Sequence, residues 1–114
     1  MNVNLVGNVG VFGTRTRTNI LLLLALLEES HASELARLLD VRVYTIQNSL
    51  ETLEQAGLVV GATVGQTRRI RLNPRFFARE ELGALLDRMA RNDKELQKRV
   101  ATLRRRPRRV GKAV

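Results

Sequence analysis

Residues 33–59 of this chain, SELARLLDVRVYTIQNSLETLEQAGLV, decide its fold. Leucines near the beginning recur at helical spacing, which predicts a short helix over residues 32–39 with a buried face formed by Leu35, Leu38 and Leu39. Serine is a good N-terminal cap, so we expect Ser30 or Ser33 to begin this helix. Ala36 is small enough to let a neighbouring helix approach closely.

A second helix is expected over residues 42–56, directly after the tight connection Asp40-Val41-Arg42. Its apolar side chains fall on one face at helical spacing, namely Val41, Ile46, Leu50 and Leu53. Gly57 is typical of the residue that follows a helix C-terminus. Two short helices with one apolar face each, joined by a tight connection, form a helix-turn-helix.

The hydrophobic period changes to two after Gly57, which predicts a β-hairpin. Residues 58–64 and 67–73 form the expected strands, and Gly65-Gln66 between them suits a two-residue turn. Proline lacks a backbone N–H, so Asn73-Pro74 is expected to end the second strand. The alternation assigns four side chains: Ile70 and Leu72 to the core, Arg69 and Arg71 to solvent.

A leucine-rich helix is expected over residues 16–29, opened by threonines that can cap its first amides. Its apolar side chains surround the helix almost completely, which is more than one core-facing stripe requires. Ile20, Leu24 and Leu27 suffice for the core of one chain. Three further leucines then need a second partner, either the C-terminal helix or, as we favour, another subunit: Leu22, Leu23 and Leu26.

The C-terminal segment, residues 76–106, carries a heptad pattern. Its members are Leu82, Met89, Leu96 and Leu103 at seven-residue intervals, with Leu86 and Val100 between them. One unbroken helix would be about 45 Å long, too long for this domain to cover, so pairing with a second copy is expected. Gly83, and Asp93 beside Asn92, favour the alternative that the helix breaks and restarts.

The charge of the chain is unevenly distributed. It has 20 Lys and Arg against 11 Asp and Glu, a net charge of +9, which attracts polyanions such as nucleic acid or an acidic membrane surface. Residues 31–60 hold two basic and four acidic side chains, whereas residues 61–80 hold five and one, and residues 81–114 hold 11 and 4. The helix-turn-helix is therefore slightly acidic, and the hairpin and the C-terminus are basic.

Several classes of function are excluded by composition. The chain has no cysteine, and His31 is its single histidine, so we expect no disulfide and no metal site. No serine has histidine and acid at a catalytic spacing, and no glycine loop suits a phosphate, so we expect neither an enzyme nor a cofactor. The apolar run over residues 20–27 is too short to span a bilayer. We expect an intracellular protein that does not contact membranes.

The order of helix, helix-turn-helix, hairpin and C-terminal helix resembles the winged helix-turn-helix regulators of the arsenical-resistance-repressor (ArsR-like) type. Three stretches carry the resemblance: FGTRTRTNIL at 12–21, SELARLL at 33–39 and, most specifically, LETLEQAGLV at 50–59. Arg42 departs from the serine or threonine usual in that family at the start of the recognition helix. The family's metal-binding cysteines and histidines are also missing, so metal sensing is not implied.

The resemblance implies a fold that is mainly α with a small β-hairpin wing. The chain is expected to divide into an N-terminal extension (1–13), a winged helix-turn-helix DNA-binding domain (14–75), a C-terminal dimerisation helix (76–106) and a basic, disordered tail (107–114). The resemblance also implies a homodimeric transcriptional regulator of the cytoplasm, bound to the nucleoid and acting as a repressor on double-stranded DNA. No pocket chemistry in the sequence points to a small-molecule inducer.

A recognition helix in the major groove reads bases with the exposed side chains of its first turns. The residues expected to read bases are Val43, Tyr44, Thr45, Gln47 and Asn48. Contacts with the DNA backbone are expected from Arg15, Arg17, Arg42, Arg68 and Arg69, because arginine binds phosphate in a bidentate manner. A dimer interface is expected at Leu22, Leu23, Leu26, Leu82, Leu86, Met89, Leu96, Val100 and Leu103.

Two alternatives remain open at this point. The near-neutral helix-turn-helix and the leucine-rich first helix favour a winged helix that joins a larger protein assembly. The arginine-rich C-terminus favours a protein that coats DNA or RNA without regard to sequence.

Overall fold

The computed structural model of the protein describes residues 10–105. The basic tail expected over residues 107–114 lies outside them, as does most of the N-terminal extension expected over residues 1–13. Five helices and one antiparallel hairpin follow each other in the described part: α1 (Arg15–Leu27), α2 (Ala32–Leu39), α3 (Val43–Gln55), β1 (Val59–Val64), β2 (Thr67–Leu72), α4 (Arg79–Arg91) and α5 (Lys94–Arg105). The predicted fold class, mainly α with a hairpin wing, is confirmed.

Helix α1 is the centre of the fold. It begins after Thr14, whose Oγ1 accepts a hydrogen bond from the backbone N–H of Arg17 at 3.0 Å. The five consecutive residues from Ile20 to Leu24 are each at most 1% exposed. They are covered because all four other helices and strand β2 pack against α1. A helix that is apolar on all sides is thus buried on all sides.

This burial corrects part of the expected dimer interface. Leu22 and Leu23 are fully buried within a single chain, and Leu26 is half-buried. The sequence left two partners open for these leucines, and the C-terminal helices α4 and α5 pack against α1. Leu22 and Leu23 are therefore core residues with no surface to offer a second copy.

The helix-turn-helix has the expected bounds within one residue. Leu35 and Ala36 of α2 and the stripe Ile46, Leu50 and Leu53 of α3 are buried. Helix α3 ends in a Schellman motif, in which the N–H of Gly57 bonds to the carbonyl of Glu54 and the N–H of Leu58 to that of Leu53, both at 3.0 Å. Gly57 has φ +81, which only glycine adopts readily.

The cap of α2 differs from the expected one. His31, not Ser30 or Ser33, is the N-cap, because its Nδ1 accepts a hydrogen bond from the backbone N–H of Glu34 at 3.2 Å. Ser33 is exposed, whereas Ser30 is buried and donates from its Oγ to a carboxylate oxygen of Glu34 at 2.6 Å. Ser30 does not cap the helix, because its backbone forms hydrogen bonds with the hairpin.

The wing is the predicted hairpin. Val64 pairs with Thr67, so Gly65 and Gln66 form a two-residue turn in which Gly65 has φ +65. Ile70 is 1% exposed and faces the core, as expected.

Two contacts hold the wing against the helices. Ser30 and Ile70 exchange backbone hydrogen bonds of 2.9 and 2.8 Å, which adds a one-residue third strand beside β2. At the other end, the Asn73 side-chain amide donates to the carbonyl oxygen of Gly57 at 2.9 Å. The hairpin is thereby fixed relative to both α2 and α3.

The C-terminal segment forms two helices, so the single helix of about 45 Å is wrong and the alternative break at Asn92-Asp93 is confirmed. Asp93 begins α5 because its Oδ1 accepts a hydrogen bond from the backbone N–H of Leu96 at 3.1 Å. The break lets α5 fold back against α1 and the C-terminal end of α2, where Arg99 donates to the carbonyl of Leu38 at 2.6 Å.

Folding back also changes the role of the heptad residues. Leu82 and Leu103 are half-buried, and four others are at most 5% exposed within one chain: Leu86, Met89, Leu96 and Val100. These four form the faces of α4 and α5 that complete the core, so they are corrected from interface to core. No helix within residues 10–105 is long and apolar enough to cross a membrane.

Candidate nucleic-acid interface

The outward face of α3 carries most of the side chains expected to read bases. Since Ile46, Leu50 and Leu53 point inward, helical periodicity directs the opposite face to solvent. Tyr44 is 69% exposed, Val43 is 38% exposed, and Gln47 and Asn48 are exposed as well. Thr45 is half-buried on the flank of the helix and is less accessible than the other four.

Arg42 occupies the N-cap position of α3. Its guanidinium cannot accept a hydrogen bond, and no side chain caps the helix at this residue. The first amides of α3 therefore donate no hydrogen bond to the side chain of the N-cap residue, and that residue is exposed. A helix N-terminus of this kind attracts phosphate oxygens.

The wing faces α3 across an open cleft of about 380 Å³. Its lining combines the polar flank of α3 with the inner face of β2: Ala32, Gln47, Leu50, Glu51, Glu54, Arg68 and Ile70. Gln47 thus lies at the junction of the recognition helix and the wing, while Asn48 lies further round the exposed face. The sequence alone does not distinguish the positions of Gln47 and Asn48 relative to the wing.

Arg68 spans this cleft and pairs with Glu54. Its two terminal nitrogens donate to the two carboxylate oxygens, Nη2 to Oε1 at 2.8 Å and Nη1 to Oε2. The hydrogen bond to Glu54 raises the pKa of Arg68 above its usual value. Sequence reasoning assigned Arg68 to phosphate and missed this partner, since the two residues are 14 positions apart.

Gly61 makes room for this ion pair. It lies on β1 opposite Ile70, and a Cβ built on it would come within 2.6 Å of Arg68 Cζ. The side chain of Arg68 therefore lies across the backbone of Gly61 on its way to α3. A larger residue at position 61 would displace the guanidinium.

Arg69, on the other face of β2, pairs with Glu29 between α1 and α2. Its Nη2 donates to Glu29 Oε1 at 3.2 Å, and its side chain is 33% exposed. Two of the wing's arginines that we expected to bind phosphate are thus each held by a carboxylate.

The remaining expected backbone contacts lie apart from the wing. Arg17 extends over Gly13, where a Cβ would meet its Nη1 at 2.5 Å. Arg15 lines a cleft at the beginning of α5 that also contains Asp93 and Glu95. The five arginines expected to contact the DNA backbone therefore do not form one cluster in the folded chain.

Two arginines that sequence reasoning left out of the site are more available. Arg71 and Arg75 are exposed, and within residues 10–105 neither forms an ion pair. Together with Arg69 they line an open cleft of about 360 Å³ on the outer face of the wing. The alternating pattern of β2 already predicted that Arg71 faces solvent, and this pattern could have identified Arg71 as a candidate phosphate contact.

Comparison with curated proteins found no match to the chain. Residues 14–60, from the cap of α1 to the first strand of the wing, match the model of the family described as "Bacterial regulatory protein, arsR family". Such a domain is a regulatory DNA-binding unit rather than an enzyme, and the match supports a DNA-binding transcription regulator. The match covers α1, α2, α3 and the beginning of β1, and these elements together with the rest of the hairpin have the arrangement of a winged helix-turn-helix.

Proposed function

We propose that the protein binds specific double-stranded DNA sequences as a homodimeric transcriptional repressor in the cytoplasm. The observation that carries the proposal is the exposed polar face of α3 beside the wing, inside the segment that matches the family. In this proposal residues 14–75 form the DNA-binding domain and residues 76–106 the dimerisation region.

Base reading belongs to the exposed face of α3. Gln47 and Asn48 carry amides that bond to adenine in the major groove, and the Tyr44 hydroxyl reaches a phosphate. Val43 supplies an apolar contact, and Thr45, which is half-buried, a contact from the flank of the helix.

Phosphate contacts come from arginines on both sides of α3. Arg42 lies at the exposed N-terminus of the helix, and Arg68 and Arg69 bind phosphate only after exchanging their carboxylate partners. Arg15 and Arg17 at the beginning of α1 extend the contact away from the wing.

Dimerisation uses apolar surface that the single chain leaves uncovered. Phe77 is 93% exposed and lies 4.8 Å from the ring of Phe76, centroid to centroid, and Leu85 on α4 is 47% exposed. Leu26, Leu82 and Leu103, the half-buried members of the expected interface, remain part of the proposed interface. In this proposal Phe77 and Leu85 belong to one contiguous apolar patch, and an exposed patch of this kind marks an association site.

The test is a selection of bound duplexes from a random pool with the full chain. We expect enrichment of a palindrome whose half-sites lie about one helical turn apart. Gln47→Ala should relax the selected sequence, whereas Gln55→Ala, an equally exposed glutamine at the far end of α3, should leave it unchanged. Enrichment of no sequence despite tight binding would instead indicate a DNA-coating protein.

Dimerisation is tested separately by sedimentation equilibrium. Phe77→Ser should shift the protein to monomer, whereas Val64→Ser, which removes an apolar side chain that is 63% exposed at the wing tip, should not. A wild-type protein that is monomeric at all concentrations would refute the homodimer.

A protein-interaction role is the second candidate, favoured by the two ion-paired arginines of the wing. With Arg68 paired with Glu54, and with Glu51 lining the same cleft, the surface next to α3 has little net charge. Absence of binding to any duplex at low salt would support this role over the first.

A further inference from the structure

The pair Glu54–Arg68 joins the recognition helix to the wing. It lies at the surface that binds DNA in the proposed function. Glu54 lies in the last turn of α3, and its side chain is 27% exposed, against 51% for Arg68. Both groups are thus reached by solvent and by an approaching polyanion.

A phosphate and a carboxylate offer the same bidentate geometry to a guanidinium. Glu54 already occupies the Nη1–Nη2 fork of Arg68, so a phosphate that binds to this same fork must displace it. Displacement leaves the carboxylate unpaired beside a second negative charge. The pair is therefore an intramolecular competitor for the contact that an unpaired Arg68 would make.

The residues around the pair explain why Glu54, and not the neighbouring Glu51, binds Arg68. Glu51 lines the same cleft one turn earlier, but it is exposed and forms no ion pair within the described residues. Gly61 leaves the space through which Arg68 reaches Glu54. Both glutamates carry the same charge, but only Glu54 lies where the guanidinium of Arg68 can reach it across Gly61.

We infer that Glu54 acts as an internal phosphate mimic that masks Arg68 and thereby lowers the affinity of the wing for polyanions. This inference rests on the proposed DNA binding, and it names a residue of the recognition helix that weakens binding rather than contributing to it. Since backbone contacts supply essentially all non-specific affinity, masking one of them favours duplexes that the exposed face of α3 recognises.

The experiment compares Glu54→Gln with Glu51→Gln in the full chain. Each substitution removes one negative charge from α3. Binding to a fixed duplex is measured against salt concentration. Glu54→Gln should tighten binding about two- to five-fold per protomer, the range expected for release of an exposed ion pair. It should also steepen the plot of log K against log salt by up to about 0.9 per protomer, the value for one phosphate contact that Glu54 prevents completely in the wild type. Glu51→Gln should leave the slope unchanged.

Arg68→Gln completes a double-mutant cycle. If Glu54 masks Arg68, the gain of Glu54→Gln disappears when Arg68 is also replaced, and Arg68→Gln changes the slope less in the wild type than in the Glu54→Gln background. If Glu54→Gln tightens binding equally in both backgrounds, or no more than Glu51→Gln does, the inference is overturned.

A second polyanion separates this inference from the proposed function. On a heparin column, Glu54→Gln should elute at higher salt than Glu51→Gln, since heparin also binds unmasked arginine. This result without binding to any duplex would refute the proposed function and keep the masking. Equal elution together with equal duplex affinities would refute the masking and keep the proposed function.

Discussion

The carboxylate of Glu54 and the guanidinium of Arg68 face each other in a bidentate ion pair that ties the last turn of the recognition helix to the second strand of the wing. The two residues belong to segments with opposite net charge, and only folding brings them together. Arg69 and Glu29 repeat the arrangement on the other face of the strand. The basic character of the wing is thus partly cancelled before any partner approaches.

Gly61→Ala is expected to open the Glu54–Arg68 pair without removing either charge. The new methyl group would lie 2.6 Å from Arg68 Cζ, so this flexible side chain must move away. Stability should change by less than about 1 kcal/mol, because exposed ion pairs contribute little. In salt titrations of duplex binding, Glu54→Gln should then have a smaller effect in the Gly61→Ala background than in the wild type.

Ala62→Ser is the matched control for that measurement, since its side chain lies on the opposite face of β1. An undiminished effect of Glu54→Gln after Gly61→Ala would show that the pair persists despite the added methyl group.

His31→Ala is expected to destabilise the protein by about 1 kcal/mol, because the N–H of Glu34 loses its acceptor at the beginning of α2. His31→Asp should retain most of the stability, since its carboxylate also caps a helix. Urea denaturation measures both. Ser33→Ala serves as the control and should be neutral, because Ser33 is exposed and does not cap the helix. A larger loss for Ser33→Ala than for His31→Ala would contradict this assignment.

Leu96→Ala is expected to cost about 2–5 kcal/mol in the free energy of unfolding, the range for a buried leucine. Leu85→Ala, on the exposed side of α4, should cost much less at the lower protein concentration, where the proposed dimer dissociates. The loss in Leu96→Ala should not depend on protein concentration, because the side chain is buried within one chain. Denaturation at two protein concentrations tests this. A loss in the free energy of unfolding that becomes smaller as the concentration rises would indicate that Leu96 lies in an intermolecular interface.

Asp93→Ala is expected to destabilise the protein by about 1 kcal/mol through loss of the cap at the beginning of α5. Asp93→Asn should be milder, since its amide oxygen still accepts the hydrogen bond from Leu96. The control Asp87→Ala removes an exposed acid that pairs only with Arg91 one turn away, a contact worth about 0.3–0.5 kcal/mol. Thermal unfolding should therefore rank Asp93→Ala below both others in stability.

Local features of the fold followed from local sequence. The stripe Ile46, Leu50 and Leu53 with Gly57 after it predicts α3 and its end, and the pair Gly65-Gln66 predicts the turn of the wing. These succeed because helical periodicity, a Schellman C-terminus and a two-residue hairpin turn each depend on residues a few positions apart.

The C-terminal region shows why the heptad pattern was misleading. A stripe of leucines has the same spacing whether it packs on a second chain or folds back on its own. Asp93 decides between them by starting a new helix, and α1, apolar on all sides, accepts the two shorter helices. The sequence contained both signals but not the direction in which α5 turns.

By itself the sequence determined the helix-turn-helix, the wing and the exposed face of the recognition helix, because short-range spacing fixes each of them. Tertiary structure alone decided that Leu22 and Leu23 are core and that α5 closes over α1. It alone also decided that Arg68 is masked by Glu54. Ion pairs and burial depend on which distant segments meet in space, and that is set by the packing of the whole chain.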